Sequence, residues 1–251
     1  MSVDLLLFLA AGCLGGAVNV AAGGAKLFVF PILLSAGLPP LAANATGTVA
    51  LWPAQVPGIV LFRKSLPAAR GALLIDACCV AFGAVLGALA LIRLGEDTFV
   101  DFIPLFLALA VTAILFGDLL AGWAARLAGS AGGPWLARIL FLACGFYAGY
   151  FGAGLGFMIL AAVILAGGTG LHASNAHKNV LAVAANTAAV IPLSLSGLVE
   201  WQAAAAVVLG GLAGGYLGAR VVRLLPERPL KWTIALLGTV LTLAYLFKLR
   251  A

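Results

Sequence analysis

Polar side chains at the start of a long apolar segment are the first candidates for chemistry. Asn175, His177, Lys178 and Asn179 stand just ahead of the apolar run that begins at Val180. A charged side chain near the centre of a bilayer costs at least about 2.5 kcal/mol and is usually functional or interfacial. We interpret Lys178 as a cationic anchor for an anion, with snorkelling to the lipid headgroups as the alternative. His177 either moves protons or donates to a substrate, or it is an interface histidine.

A matching stretch in the first half supplies an amide and two hydroxyls without a charge. Asn44, Thr46 and Thr48 open an apolar segment there, and Gln55 lies about two turns further on. Asn186 occupies the corresponding position in the second half. Threonine hydroxyls often bond to their own helix, which is the alternative to a binding role. Prolines near Gln55 should distort the helix and free carbonyl groups.

Two glycine-rich stretches, 15–26 and 145–156, interrupt the apolar runs 5–38 and 139–165. A glycine inside a helix costs about 1 kcal/mol relative to alanine, so the clusters predict that the helix stops in each. The helix that follows would direct free N–H groups at the interruption, where they bind anions. The alternative is that the glycines only allow close helix packing. The candidate binding residues at the two interruptions are Asn19, Gly23, Gly24, Lys26, Tyr150, Gly152 and Gly154.

Among these residues, Lys26 has two interpretations. It is either a second cation in a shared cavity or a lysine that snorkels to the cytoplasmic surface.

The composition indicates a membrane protein with several spans. The chain has 251 residues, of which 64% are hydrophobic and 9% charged, and its mean hydropathy is +1.19. A soluble domain carries about 25% charged residues. The net charge of +6 does not indicate nucleic-acid binding, because the basic residues fall mostly in short loops where membrane orientation explains them.

An enzyme is not expected, since neither an HExxH nor a GxSxG motif is present. The four cysteines lie in apolar segments without CxxC spacing and are interpreted as buried thiols. We therefore expect no catalytic residues, no metal and no cofactor.

The apolar segments predict an all-α membrane protein with about eight transmembrane segments. Six segments are read as uninterrupted: 40–62, 71–92, 99–123, 173–198, 202–222 and 231–247. The two interrupted segments, 3–37 and 136–170, are too long for one ordinary crossing and short for two. Each fits a helix followed by a half-helix, or a pair of short helices forming a hairpin.

The halves 1–128 and 129–251 come into register at an offset of 131 positions without a gap. The polar matches carry this inference, since apolar identities are expected by chance in such a sequence. They are Asn44 with Asn175, Gln55 with Asn186 and Glu96 with Glu227. The sequence thus predicts an internal repeat within one integral membrane domain.

Loop charges predict that the two repeats have opposite orientations. If each interrupted segment enters and leaves on one side, nine basic residues face the cytoplasm and three face outward, as the positive-inside rule favours. The nine are Arg63, Lys64, Arg70, Arg126, Arg138, Arg220, Arg223, Arg228 and Lys231; the three are Arg93, Lys248 and Arg250. Inverted repeats with discontinuous helices at the midplane are typical of secondary transporters.

The residues 23–34 and 37–48 also resemble a known family. A glycine-rich interruption precedes an apolar run with proline, and a Gly-Leu-Pro-Pro segment then leads into a small, threonine-rich helix. This pattern, repeated at 152–156 and 175–179, is similar to the sulfite exporter TauE/SafE family over essentially the full length. The resemblance implies about eight membrane segments in two related halves. It also implies transport of sulfite, sulfoacetate or another small organosulfur anion.

The sequence therefore predicts a multi-pass secondary transporter of the cell membrane, the inner membrane of a bacterium. It would export a small sulfur oxyanion or sulfonate by alternating access, with the anion bound near the midplane between the two interruptions. Proton coupling and the membrane potential are the alternatives for its driving force. An anion channel, an uptake carrier for another small anion and a membrane assembly partner are the alternative functions. The oligomeric state is open between a monomer and a homodimer.

Overall fold

The structure is a computed structural model that describes residues 2–22, 25–55, 70–127, 134–167 and 171–221, together with 236, 239 and 240. These residues form α-helices and one 3-10 turn, with no strand among them, which confirms the all-α prediction for the described part. The elements are α1 (Ser2–Ala22), α2 (Lys26–Ser35), α3 (Pro40–Leu51), the turn Pro53–Gln55, α4 (Arg70–Leu127), α5 (Pro134–Tyr150), α6 (Leu155–Leu165), α7 (Leu171–Leu195) and α8 (Trp201–Val221).

Helix α4 is two helices joined at a glycine. Its 58 residues would extend about 87 Å at 1.5 Å per residue, nearly three times a bilayer core of about 30 Å. Gly95 lies inside it at φ 77° and ψ −175°, a non-helical conformation that kinks the helix and that only glycine adopts readily. This division agrees with the two predicted segments 71–92 and 99–123.

Two helices in the described ranges are long and apolar enough to cross a membrane, Gly71–Gly117 and Ala173–Leu195. Shorter apolar helices, Leu5–Ala17, Lys26–Ser35, Trp135–Tyr150 and Leu155–Leu165, accompany them. The total of eight transmembrane segments stays a prediction, and most of the predicted segment 231–247 lies outside the described residues.

The helix interruptions are narrower than the glycine clusters suggested. Helix α1 continues through Gly15 and Gly16 to Ala22, and α2 begins at Lys26. In the second half, Gly145 and Gly149 lie within α5, and the interruption comprises residues 151–154. A helix does end within each cluster, as predicted, but the leading glycines lie inside helices.

Those leading glycines bring helix backbones together. A Cβ atom on Gly16 would collide with the carbonyl oxygen of Gly211 in α8, and one on Gly149 with that of Ala84 in α4. Small residues let helices approach closely where the surrounding solvent offers no hydrophobic driving force. The packing interpretation therefore holds for this part of each cluster.

The predicted uninterrupted segment 40–62 was also wrong. Helix α3 ends at Leu51 and is followed by the 3-10 turn at Pro53–Gln55. Proline lacks the N–H that would continue the helix, and its ring clashes with the preceding turn. This confirms the expectation that proline distorts the chain near Gln55.

The main helix contacts cross between the two halves of the sequence. Helix α1 packs on α8, and α5 packs on the first part of α4. An offset of 131 positions carries α1 onto α5, and it carries the first part of α4 onto α8. The two contacts are therefore equivalent, and each joins an interrupted segment of one half to a helix of the other.

Candidate functional site

Lys26, the first residue of α2, lies in the interior, with 8% of its surface exposed. Its Nζ donates hydrogen bonds to Thr48 Oγ1 at 2.5 Å and to the carbonyl oxygen of Phe151. The Nζ atom also lies 5.4 Å from the centroid of the Phe151 ring. Of the two interpretations of Lys26, the structure therefore supports the buried cation rather than the snorkelling one.

The second interruption is a short non-helical turn that requires glycine. Gly152 and Gly154 have φ values of 80° and 71°, which side chains with a Cβ rarely adopt. A Cβ on Gly154 would also lie 3.1 Å from the carbonyl oxygen of Ala110 in α4. Tyr147, one turn earlier in α5, donates its hydroxyl to the carbonyl of Ala153 at 2.6 Å. The turn is thus fixed from two sides.

Helix α3 supplies a second donor to this interruption. The Nδ2 atom of Asn44 donates to the carbonyl oxygen of Tyr150 at 2.9 Å, and Thr48 Oγ1 donates to the carbonyl of Asn44 at 2.8 Å. Within the part of the chain that the structure describes, Asn44 Oδ1 and the Tyr150 hydroxyl are buried without a hydrogen-bond partner. Lys26 and Asn44 of the first half therefore hold the carbonyls of Phe151 and Tyr150, where α5 ends and the interruption begins.

Aromatic rings enclose this centre. The Phe151 ring packs edge-on against Phe30 at 5.6 Å and stacks on Phe106 at 5.6 Å, and Phe99 lies 6.2 Å from both Phe30 and Phe151. Phe30, Phe99 and Phe151 are fully buried. Electrostatic interactions are stronger in such surroundings than in water.

The contacts of Lys26 are with neutral groups. The ion pair found within the described ranges joins His177 and Asp76, not Lys26. A buried cation that has no counter-charge retains a large desolvation cost. The ammonium group and the Tyr150 hydroxyl can donate to an anion, and an anion would offset that cost. The arrangement is therefore suited to binding a small anion.

His177 belongs to a different cluster. Its Nε2 lies 3.3 Å from Asp76 Oδ2 of α4, and its ring centroid lies 6.1 Å from that of Phe141 in α5. Asn175, Lys178 and Asn179 stand in the same first turns of α7 and are partly buried. The second interruption receives side-chain hydrogen bonds from Lys26, Asn44 and Tyr147.

A third cluster joins the two halves further along α3 and α7. Asn186 Nδ2 donates to Gln55 Oε1 at 2.9 Å, and Trp52 Nε1 donates to Thr187 Oγ1 at 2.8 Å. Trp52 also lines a cavity of about 380 Å³. The lining is Val49, Ala50, Trp52, Pro53, Val190, Ser194, Trp201, Ala204, Ala205 and Val208, which supplies no cation for an anion.

The remaining predicted site residues are scattered. Thr46 accepts a hydrogen bond from the backbone N–H of Glu200 at 3.0 Å, so it holds the start of α8. Asn19 lies in the last turns of α1, and its side chain is not described, while Gly23 and Gly24 fall outside the described residues.

Sequence reasoning missed the roles of Tyr147, the Phe151 carbonyl and Thr187. Tyr147 carried a signal that could have been used, because a lone hydroxyl one turn before an interruption is placed to bind a freed carbonyl.

In the described residues, apolar helices with a buried lysine at a helix interruption are typical of membrane transporters. Comparison with known proteins supports that class. The sequence profile of the family described as Sulfite exporter TauE/SafE matches residues 8–245, and the chain belongs to this family.

The chain is similar to three curated relatives. A "Probable membrane transporter protein" of Haemophilus influenzae is 29% identical over 231 residues, covering 88% of this chain and 87% of the relative. The "Probable membrane transporter protein YfcA" of Escherichia coli K12 is 24% identical over 246 residues, covering 98% and 90%. The "Probable membrane transporter protein ORF9" of a Sinorhizobium species is 29% identical over 231 residues, covering 88% and 84%. No solved structure matches the chain significantly. The family and these relatives together identify the protein as a transporter located in the membrane.

Proposed function

We propose that this transporter exports a small sulfur oxyanion or sulfonate, which binds at Lys26 against the second helix interruption. The observation that carries the proposal is the buried amino group of Lys26, whose partners are the neutral oxygens of Thr48 and Phe151. Intramembrane cations of this kind are typical of substrate pathways. The family name, Sulfite exporter TauE/SafE, supports both the class of substrate and the direction.

The donors proposed for the site suit a compact anion with several oxygens. Lys26 supplies a point charge with rotatable N–H groups, and Tyr150 supplies a hydroxyl that has no partner in the described residues. Helices α2 and α6 both begin at this centre, and helix N-termini attract anions. A sulfonate or sulfite presents three oxygens to such donors. The aromatic rings that enclose the site would limit its size.

The proposal includes two inverted repeats, residues 1–128 and 129–251, that rock against each other. Two observations support it. The equivalent helix pairs α1 with α8 and α5 with α4 are both in contact. The equivalent residues Gln55 and Asn186, 131 positions apart, bond to each other. A residue can touch its own symmetry mate only near the axis that relates the two copies.

A carrier is favoured over an anion channel because the site is closed in this structure. Lys26, Asn44, Tyr150 and Phe151 are all buried, so an anion could reach them only after the surrounding helices move. An uptake carrier would use the same site and differ only in direction.

The experiment is counterflow in proteoliposomes loaded with unlabelled sulfite, sulfate, sulfoacetate, methanesulfonate or acetate. A carrier exchanges an external labelled anion of the same kind, and the exchange saturates and shows competition within the panel. A current that rises linearly with concentration and far exceeds a carrier's turnover would indicate the channel instead. Exchange of acetate alone would contradict the proposed substrate class.

A further inference from the structure

Resting on the proposed anion site, we infer that Lys26 is also the proton carrier that couples transport to protons. The ammonium form binds the anion, and the empty site returns across the membrane with Lys26 as a neutral amine. Each monovalent anion then travels with one proton, the cycle moves no net charge, and the combined gradients of anion and proton set the direction of net transport.

The hydrogen-bond count at Lys26 matches both forms. A neutral amine has two N–H donors, and the protein offers Nζ two acceptors, Thr48 Oγ1 and the Phe151 carbonyl oxygen. The ammonium form has a third N–H, and that donor is available to an anion. The Phe151 ring beside Nζ stabilises the ammonium form, but less than a bound counter-ion would.

No other group in the described surroundings supplies the compensating charge. From α3, the facing groups are Asn44 and Thr48, which are neutral. From α5 and the interruption they are Phe151 and the phenols of Tyr147 and Tyr150, and α4 presents the Phe99 and Phe106 rings. The side chains of α1 nearest this point, including Asn19, are not described. An ammonium group in these surroundings is disfavoured unless an anion accompanies it.

The proton step is a simple transfer. When the site opens to water and the anion leaves, one N–H bond of the ammonium group breaks and the proton passes to water on that side. On the other side the amine takes a proton from water as the next anion enters. The lone pair remains on Nζ throughout the return.

The test is calorimetric titration of the purified protein with the panel anions methanesulfonate, sulfoacetate and sulfate, in buffers of different ionisation enthalpy. The buffer dependence of the heat gives the number of protons taken up per anion. We expect the number of protons taken up per anion to lie between zero and one and to rise from pH 6 to pH 9. At higher pH a larger fraction of the empty protein has Lys26 as a neutral amine. Lys26→Arg stays charged and should bind with a count of zero.

Two variants separate Lys26 from the other candidates. Lys178→Arg makes the same change at the other lysine on a described helix, and His177→Gln removes the imidazole that pairs with Asp76. Both variants should keep the wild-type proton count. A wild-type count of zero at every pH overturns the inference without requiring any variant to fold. A count that disappears in His177→Gln but not in Lys26→Arg also overturns it. Absence of binding by every panel anion would contradict the proposed anion site itself, which is a different outcome from binding without protons.

Discussion

Gln55 and Asn186 stand 131 positions apart in the chain, and their side-chain amides form a hydrogen bond of 2.9 Å. The same offset relates α1 to α5 and the first part of α4 to α8, whose contacts are equivalent. In the proposed repeat, this bond joins a residue to its own counterpart, between the 3-10 turn after α3 and the middle of α7. The two halves can move apart at this position only if this hydrogen bond breaks.

A double-mutant cycle measures that contact. Gln55→Ala and Asn186→Ala should each lower the free energy of unfolding by about 0.5–1.5 kcal/mol, the usual net value of one hydrogen bond. The double variant should lose little more than either single variant, because both remove the same interaction. The measurement is denaturant unfolding in mixed micelles. Fully additive losses would show that the two amides do not interact.

Reporter fusions test the inverted repeat itself. Fusions placed after Lys64 and after Lys231 should both report the cytoplasm, since opposite orientations of the halves put these two loops on one side. A fusion after Arg93 should report the opposite side and serves as the internal control. Fusions after Lys64 and Lys231 that report different sides would rule out the predicted topology.

The glycines inside α5 give a stability prediction. Gly149→Ala should destabilise the protein by about 1–3 kcal/mol, because its Cβ would collide with the carbonyl of Ala84 in α4. Gly156→Ala is the matched control: this glycine lies in the first turn of α6, and no described atom lies within 4 Å of the added Cβ. It should be neutral or stabilising by up to about 1 kcal/mol. Equal effects of the two variants on thermal unfolding would contradict the close packing of α4 and α5.

Two tyrosines on α5 separate a binding role from a structural one. Tyr150→Phe removes a buried hydroxyl without a partner in the described residues, so stability should be unchanged or slightly higher. If that hydroxyl donates to the anion, affinity should fall about 5- to 10-fold, equivalent to about 1–1.4 kcal/mol.

Tyr147→Phe is the comparison. It removes the donor to the buried carbonyl of Ala153 and should cost about 1–3 kcal/mol of stability. Calorimetry and thermal unfolding of both variants give the two readouts. Unchanged anion affinity in Tyr150→Phe would remove this hydroxyl from the binding site.

The sequence was enough to predict the helical class and the two interruptions, and it included Asn44, Thr48 and Lys26 among sixteen candidate binding residues. Those features follow from apolar run length, glycine and proline, which act locally. The interpretation of Lys178 as the anion anchor rested on sequence alone, and hydropathy assigns similar depth to Lys178 and Lys26. Lys26 is buried against the carbonyl of Phe151 in the second interruption. These two residues are 125 positions apart in the chain. Periodicity carries no information on such contacts.

The glycine clusters show the same limit. Gly16 and Gly149 look identical in sequence to glycines that end a helix, yet both lie within helices and pack against another backbone. Only the partner helix distinguishes the two uses. The offset of 131 was readable in the sequence, whereas the crossed packing of α1 on α8 and of α5 on α4 was not.

The central claim, that Lys26 holds the anion, is tested most directly by calorimetric binding of the panel anions to Lys26→Gln beside Lys178→Gln. Glutamine keeps N–H donors for Thr48 and Phe151 but removes the charge. A charge-assisted hydrogen bond contributes about 1.5–3 kcal/mol. Lys26→Gln should therefore lower the affinity for the anion that is exchanged in counterflow by about 10- to 150-fold. Lys178→Gln should have a clearly smaller effect. Wild-type affinity in Lys26→Gln, or a loss confined to Lys178→Gln, would contradict the account.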